Sequence, residues 1–208
     1  PAAVDVHYQG IDTDFFTPDA SVAAPPAPEV LFVGAFSPAK GVLDLVQAST
    51  EALPREEHRL VFVGRGALQR TLVSEASSAT HIDVVGPLDR VAVRDRIRRA
   101  SVLVLPTQWH NGWREAAGLV LLEAQACGVP VIVYDSGGAP EMLEDGRTGW
   151  VVREGDKAAL AAAIREALSL RSAERARVSR AARDFVVAHR SLASSAAELG
   201  DRYSAMGG

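Results

Sequence analysis

Residues 113–138 read WREAAGLVLLEAQACGVPVIVYDSGG. Two glutamates, Glu115 and Glu123, bracket seven residues that are otherwise apolar or glycine, and a Gly128-Val129-Pro130 turn then leads into VIVY. A strand that is apolar throughout, rather than alternating, has both faces covered. That is the pattern of a parallel sheet lying between helices.

Working outward, the same kind of run recurs, each ending at glycine, proline or a polar residue: VLFVG (30–34), RLVFVG (59–64), IDVVG (82–86), SVLVLP (101–106) and VPVIVY (129–134). Between them, KGVLDLVQAST, ALQRTLVSEASS and DRVAVRDRIRRA carry helical periodicity. Alternating strands and helices predict an α/β, doubly wound, mostly parallel and Rossmann-like sheet flanked by helices. Ligands in such sheets bind at the carboxyl ends of strands, here from Gly34, Gly64, Gly86, Pro106 and Asp135 onward.

The chain has 208 residues, 48% of them apolar, enough for one large core. Its net charge of -4 argues against a nucleic-acid partner, whose phosphates are met by clustered Lys and Arg. A single cysteine, Cys127, excludes an internal disulfide; with apolar neighbours it reads as a buried, inert thiol, and the chain reads as cytoplasmic. No apolar run approaches the ~20 residues of a membrane helix, which leaves peripheral membrane contact open.

Residues 17–28 hold four of the eleven prolines and read as linker, so that 1–28 looks like the end of something larger plus that linker. Residues 29–170 form the expected sheet domain. From 171 to 208 an Ala/Arg-rich segment reads as long helix with at most one interruption, its apolar face carrying Val178, Phe185, Val186 and Leu192.

A helix from Gly118 to about Ala126 would point its unpaired first amides, Gly118 and Leu119 among them, at the mouth of the SVLVLP strand, where a diphosphate fits. Positions eight apart on a helix are displaced by ~12 Å, so Glu115 and Glu123 suit hydroxyl-rich groups on either side of that diphosphate. A nucleotide sugar has this layout, its ribose and hexose flanking two phosphates. A glycosidase acid/base pair, with carboxylates ~5–9.5 Å apart, and two solvated helix charges are the competing readings. Further phosphate features come from Lys40, one of only two lysines, opening a helix after Gly34, and from Gly137-Gly138 between a strand and a helical turn. Each has an ordinary reading too, as a surface lysine and a glycine-rich connector. Gly64-Arg65-Gly66 begins a dinucleotide fingerprint, but Gln69 stands where its third glycine belongs.

In order, QGID…F, VGAFSPAKG, LVFVGRG, VVGPL, ASVLVLPT, EAAGLVLLE and ACGVPVIVYDSGGAPEMLEDGRTGWVV resemble the C-terminal half of a group 1 (family 4) retaining glycosyltransferase of the GT-B fold, over residues 7–170. The resemblance implies a donor-binding domain in which Glu115 faces the donor sugar, as the catalytic candidate, and Glu123 holds the ribose. Gly118 and Leu119 would offer amides to the diphosphate and Lys40 its charge. Pro87 and Leu88 would border the base, and Gly137 and Gly138 would shape the loop on the sugar side. It also implies a substrate that is a nucleoside-diphosphate sugar, no cofactor or metal, an unknown acceptor, and an acceptor-binding N-terminal domain that this chain lacks, without which turnover is not expected.

Two departures stand out. Members usually carry arginine after the glycine of the first strand, where this chain has Ala35; Arg65 and Arg114 are candidate substitutes. The common EGFG after the first glutamate is EAAG here. In the preceding loop, TQWHNGW, Trp109, His110 and Trp113 are candidates to border a sugar, against a loop that packs its own tryptophans and exposes its histidine. Asp12-Thr13-Asp14 imitates a metal-binding Asp-x-Asp, but in this context it matches the family's hinge segment. A nucleotide-binding module without chemistry and a hydrolase built on the two glutamates remain the alternatives.

Overall fold

The computed structural model describes residues 6–23, 25–52 and 57–206. Six strands, Glu29–Ala35 (β1), Arg59–Arg65 (β2), Ile82–Val85 (β3), Val102–Leu105 (β4), Val131–Tyr134 (β5) and Gly149–Val152 (β6), pair in parallel in the order β3-β2-β1-β4-β5-β6. The helices among the described residues are Val42–Ala52 (α1), Gln69–Ser78 (α2), Arg90–Ile97 (α3), Leu119–Ala126 (α4), Lys157–Ser169 (α5), Ser172–His189 (α6) and Leu192–Met206 (α7). The doubly wound sheet is therefore present, and it has one strand more than the apolar runs predict. GWVV forms the short edge strand β6, and Asp156 caps α5 by accepting from Ala159 N at 2.9 Å.

All eight residues of β4 and β5 are exposed by 2% or less. Burying each aliphatic side chain of this kind contributes about 1.5–3 kcal/mol, so this pair anchors the middle of the sheet. The chain builds β1, β2 and β3 in one direction, then returns to place β4 on the other side of β1. Right-handed crossovers on either side of that reversal put α1 and α4 on opposite faces; α1 packs against α5, and α4 against α3 and α6. The reversal opens a crevice between the carboxyl ends of β1 and β4, the place where open α/β sheets hold ligands.

The outer segments close around this layer. Residues 17–23 and 25–28 contain neither strand nor helix. Upstream of them, Ile11 and Phe16 enter the core, and Arg183 of α6 donates to the carbonyls of Thr13, Phe16 and Ala126 at 2.7–2.9 Å. Asp12 accepts from Phe15 N at 2.9 Å and lies 3.7 Å from Arg90. Residues 1–5 and 24 of the N-terminal stretch, and 207–208 at the other end, lie outside the described residues. The C-terminal helix breaks at Arg190-Ser191 because Ile11 bonds there on both sides, its N–H to Arg190 O and its carbonyl to Leu192 N, each at 2.9 Å. This corrects one expectation: Val178 and Val186 are buried, but Leu192 begins a new helix whose phase is independent of α6, and it is 57% exposed.

Candidate functional site

β1 ends in a short 3-10 turn, Pro38–Lys40, and β4 ends in the loop from Pro106 to Gly118. The two are stitched together: Gln108 donates from its backbone N to Ala39 O and from Nε2 to Pro38 O, both at 3.0 Å. Across this junction the Lys40 ammonium forms an ion pair with the Glu115 carboxylate, and Lys40 Nζ also lies 4.9 Å from the centre of the Trp113 ring. Glu115 is buried, at 9% exposure. The two charges chosen from the sequence thus meet in the crevice between β1 and β4.

The backbone at Glu115 is held by the glycines after β5. Gly138 N donates to Glu115 O at 2.9 Å, and a Cβ at Gly137 or Gly138 would lie 2.2 Å from Glu115 O or 2.0 Å from Ala116 O. Gly137 also has φ +62°, which favours glycine. The close approach these glycines permit is to the chain at Glu115 and Ala116, so they shape the loop that carries the carboxylate.

Gly118 is the residue before α4, in the left-handed region at φ 69°, ψ 62°, with Leu105 of β4 filling the space where a side chain would stand. The contact with Leu105 sets the start of α4, at Leu119, beside the carboxyl end of β4; amides in a first helical turn lack i−4 carbonyl partners, and of these Leu121 N is bonded to Gly118 O at 2.8 Å. Leu121, Leu122, Ala124, Gln125 and Ala126 are buried, which explains the greasy composition of the segment. Glu123 is half-buried, and its carboxylate accepts no hydrogen bond among the described residues. Burial raises its pKa, and the positive charge of Arg90 pulls it part of the way back.

On the other side of β1, a cavity of about 360 Å³ opens at the ends of β1, β2 and β3. Gly34, Ala35, Arg65, Pro87 and Leu88 line it, so four residues picked from the sequence share one wall with the departing position, Ala35. Ala35 and Arg65 are register partners across β1 and β2. Arg114, the other candidate substitute, is exposed in the loop before α4.

The TQWHNGW loop is an ordered hairpin. His110 N donates to Trp113 O at 3.1 Å and Trp113 N to His110 O at 2.9 Å around Asn111 (φ 49°) and Gly112 (φ 82°), the backbone signs of a two-residue Asn-Gly turn. Trp109 is 54% exposed and Trp113 41%, while His110 is half-buried. This corrects the reading in which the loop packs its tryptophans and exposes its histidine: the tight turn leaves the indoles no interior of their own.

A family model described as glycosyl transferases group 1 matches residues 16–185. The chain belongs to the group 1 glycosyl transferases. It is 33% identical over 184 residues to a D-inositol 3-phosphate glycosyltransferase of Catenulispora acidiphila, covering 79% of this chain and 42% of that protein. It is also 33% identical over 182 residues to a GDP-mannose-dependent phosphatidylinositol monomannoside mannosyltransferase of Mycolicibacterium smegmatis, covering 81% and 48%. This group 1 glycosyl transferase chain thus spans about half the length of the curated relatives it matches. Among solved structures it superposes on Anabaena HepE in complex with UDP-glucose with a TM-score of 0.80 at 18% identity, covering 97% of this chain and 57% of that one; this is a likeness of fold, of the GT-B kind.

Two residues that brace this region of the group 1 glycosyl transferase chain escaped the sequence reading. Gln125, buried in α4, donates from Nε2 to Met142 O at 2.6 Å and ties the helix to the turn that follows the glycines. Glu154 accepts from Trp109 N at 2.7 Å and fixes the hairpin to the end of β6. A buried glutamine inside an apolar helix is a signal for the first; nothing local marks the second. Among the described residues no group of three His, Cys, Asp or Glu side chains converges as metal ligands, and no helix is long and apolar enough to cross a membrane.

Proposed function

We propose that this chain is the donor-binding part of a retaining glycosyltransferase that works on the cytoplasmic side and takes its sugar from a nucleoside diphosphate without a metal. The observation that carries the reading is the convergence of Lys40, Glu115 and the start of α4 at the crevice between β1 and β4, beside the cavity of Gly34, Arg65, Pro87 and Leu88. In this reading the base occupies the cavity, the diphosphate meets Lys40 and the amides of Gly118 and Leu119, Glu123 receives the ribose hydroxyls, and the sugar reaches Glu115. Charge developing on the departing diphosphate is stabilised by the helix amides and the ammonium, which are fixed in place before reaction. The acceptor would come from a second, N-terminal domain and meet the donor sugar over Glu115.

Calorimetric titration with UDP, GDP and ADP, each with and without sugar and at low magnesium, tests this. GDP-mannose in one relative's name and UDP-glucose in the solved complex make guanine and uracil the first bases to try. Preferential metal-independent binding of one diphosphate is expected; equal, negligible binding of all three rejects a preformed donor site. Ala35 favours a second reading, a nucleotide-binding module without chemistry. Turnover after addition of an N-terminal domain from a relative distinguishes the two.

A further inference from the structure

Tyr8, ahead of the linker, reaches the turn beside the candidate carboxylate. Its hydroxyl donates to the Glu141 carboxylate, the Arg190 guanidinium lies 3.9 Å from its ring centre, and Arg190 also donates to Glu141 O at 3.4 Å. Tyr8 is itself held. Ser195 Oγ donates to Tyr8 O at 2.6 Å, and Ile11, three residues on, is bonded on both sides where α6 gives way to α7. The stretch from Tyr8 to Ile11 is thus fastened to the C-terminal helices, and from there it grips Glu141.

Glu141 belongs to the 3-10 turn Ala139–Met142, which follows Gly137 and Gly138. A single 3-10 turn has little stiffness of its own, and glycines have more backbone freedom than any other residue. Yet this turn is what the Glu115 backbone leans on: Glu141 N donates to Gly138 O at 3.2 Å, and Gly138 N donates to Glu115 O at 2.9 Å. Its position therefore depends on bonds from neighbouring elements. Gln125 of α4 supplies one, at Met142 O. Tyr8 and Arg190 supply the others, at Glu141. Tyr8 lines no part of the base cavity.

Resting on the donor-site reading above, we propose that Tyr8 is a positioning residue for Glu115. By holding Glu141 it fixes the turn whose Gly138 bonds the Glu115 backbone, and so fixes the carboxylate against the donor sugar. The diphosphate, met by Lys40 and the start of α4, does not depend on that turn. Loss of the Tyr8 hydroxyl therefore weakens the grip on the sugar and spares the grip on the diphosphate.

Tyr8→Phe keeps the ring beneath Arg190 and removes only the hydroxyl; Glu141→Gln keeps an acceptor oxygen for it, and Glu141→Ala does not. Calorimetry with GDP and GDP-mannose, and with UDP and UDP-glucose, is run on the wild-type chain, on each variant and on the Tyr8→Phe/Glu141→Ala pair. Exchange of the Gly138 amide proton is followed by NMR without ligand, and urea midpoints are taken on the same samples. In Tyr8→Phe the nucleotide sugar is expected to bind about three- to tenfold more weakly, the worth of one hydrogen bond. Nucleoside-diphosphate affinity stays unchanged, and the Gly138 amide exchanges faster by a similar factor. Glu141→Gln stays near wild type, and the double variant is no worse than Glu141→Ala alone, because both changes remove the same bond. A lower urea midpoint with nucleotide-sugar affinity intact makes Tyr8 a structural residue only and overturns the role. Equal losses for both ligands, or additive losses in the double variant, overturn it as well and leave the donor site standing. A wild-type chain that binds neither ligand, or gains nothing from an attached sugar, overturns the donor-site reading and this role with it.

Discussion

Lys40 and Glu115, 75 residues apart in the chain, form an ion pair across the point where the sheet reverses direction. In the proposed donor site each would be the other's partner until a ligand arrives: a diphosphate would compete for the ammonium, and sugar hydroxyls would suit the carboxylate. Glu115→Gln frees Lys40. Affinity for the bare nucleoside diphosphate is expected to rise by about fivefold, from the ~1 kcal/mol that an ion pair reaching solvent is worth, while the added affinity conferred by an attached sugar is lost. Calorimetry with both ligands checks this; equal losses for the two would place Glu115 away from the sugar.

Glu123 ties binding to stability with opposite signs. Burial holds its folded pKa above the unfolded value. The folded state therefore keeps a proton that the unfolded state has already released, and stability falls as pH rises from the unfolded pKa through the folded one. Glu123→Gln is expected to be more stable than wild type at neutral pH, with the difference vanishing below about pH 4, and to bind nucleotide about 10- to 100-fold more weakly through loss of a charged acceptor. Urea midpoints from pH 4 to 8, paired with nucleotide titrations, decide it; a pH-independent difference would contradict the burial argument.

Arg65 stands opposite Ala35 in the register of β1 and β2 and lines the same cavity. If its guanidinium supplies the charge that position 35 lacks, Arg65→Ala lowers nucleoside-diphosphate affinity by about tenfold or more, the worth of a charge-assisted hydrogen bond. Restoring Ala35→Arg in that background recovers most of it. Undiminished affinity in Arg65→Ala removes Arg65 from the site.

Gly138→Ala places a Cβ against a backbone oxygen, Ala116 O, which cannot rotate away. Overpacking of this kind costs about 1–3 kcal/mol, visible as a lower urea midpoint. Because the displaced chain carries Glu115, nucleotide-sugar affinity is expected to fall more than nucleoside-diphosphate affinity. A variant with wild-type stability would show that the loop yields freely.

Cys127 is 6% exposed, and burial pushes its thiol up to about 11. At pH 8 only about one molecule in a thousand then carries a thiolate, which is the reactive species. Labelling with a thiol reagent is expected to be slow in the native chain and fast in denaturant. Fast native labelling would mean that the turn after α4 opens readily.

Much of this molecule was legible in the linear chain because the relevant physics is local. The five apolar runs found their places as β1 to β5 because a strand covered on both faces has no alternation to disguise it. Gly118 was legible because a glycine before an apolar helix marks the turn that opens it. Local chemistry also marks β6 and α5, where GWVV is short and Asp156 supplies a cap, but those signals are weak beside their neighbours. Leu192 misled because periodicity was carried through a break that only the bond partner Ile11 creates.

The sequence by itself determined the alternation of strands and helices, the greasy helix with one carboxylate ahead of it and one within it, the lysine after the first strand, and the buried thiol, each written within a few residues of itself. Tertiary structure alone decided that Lys40 pairs with Glu115, that Gly137 and Gly138 make room for backbone, that Arg65 faces Ala35, and that both tryptophans stand in water. Those facts depend on which strands are neighbours and in what register. Contacts across 22 to 75 residues follow from the packing of the whole core, which no short window of sequence contains.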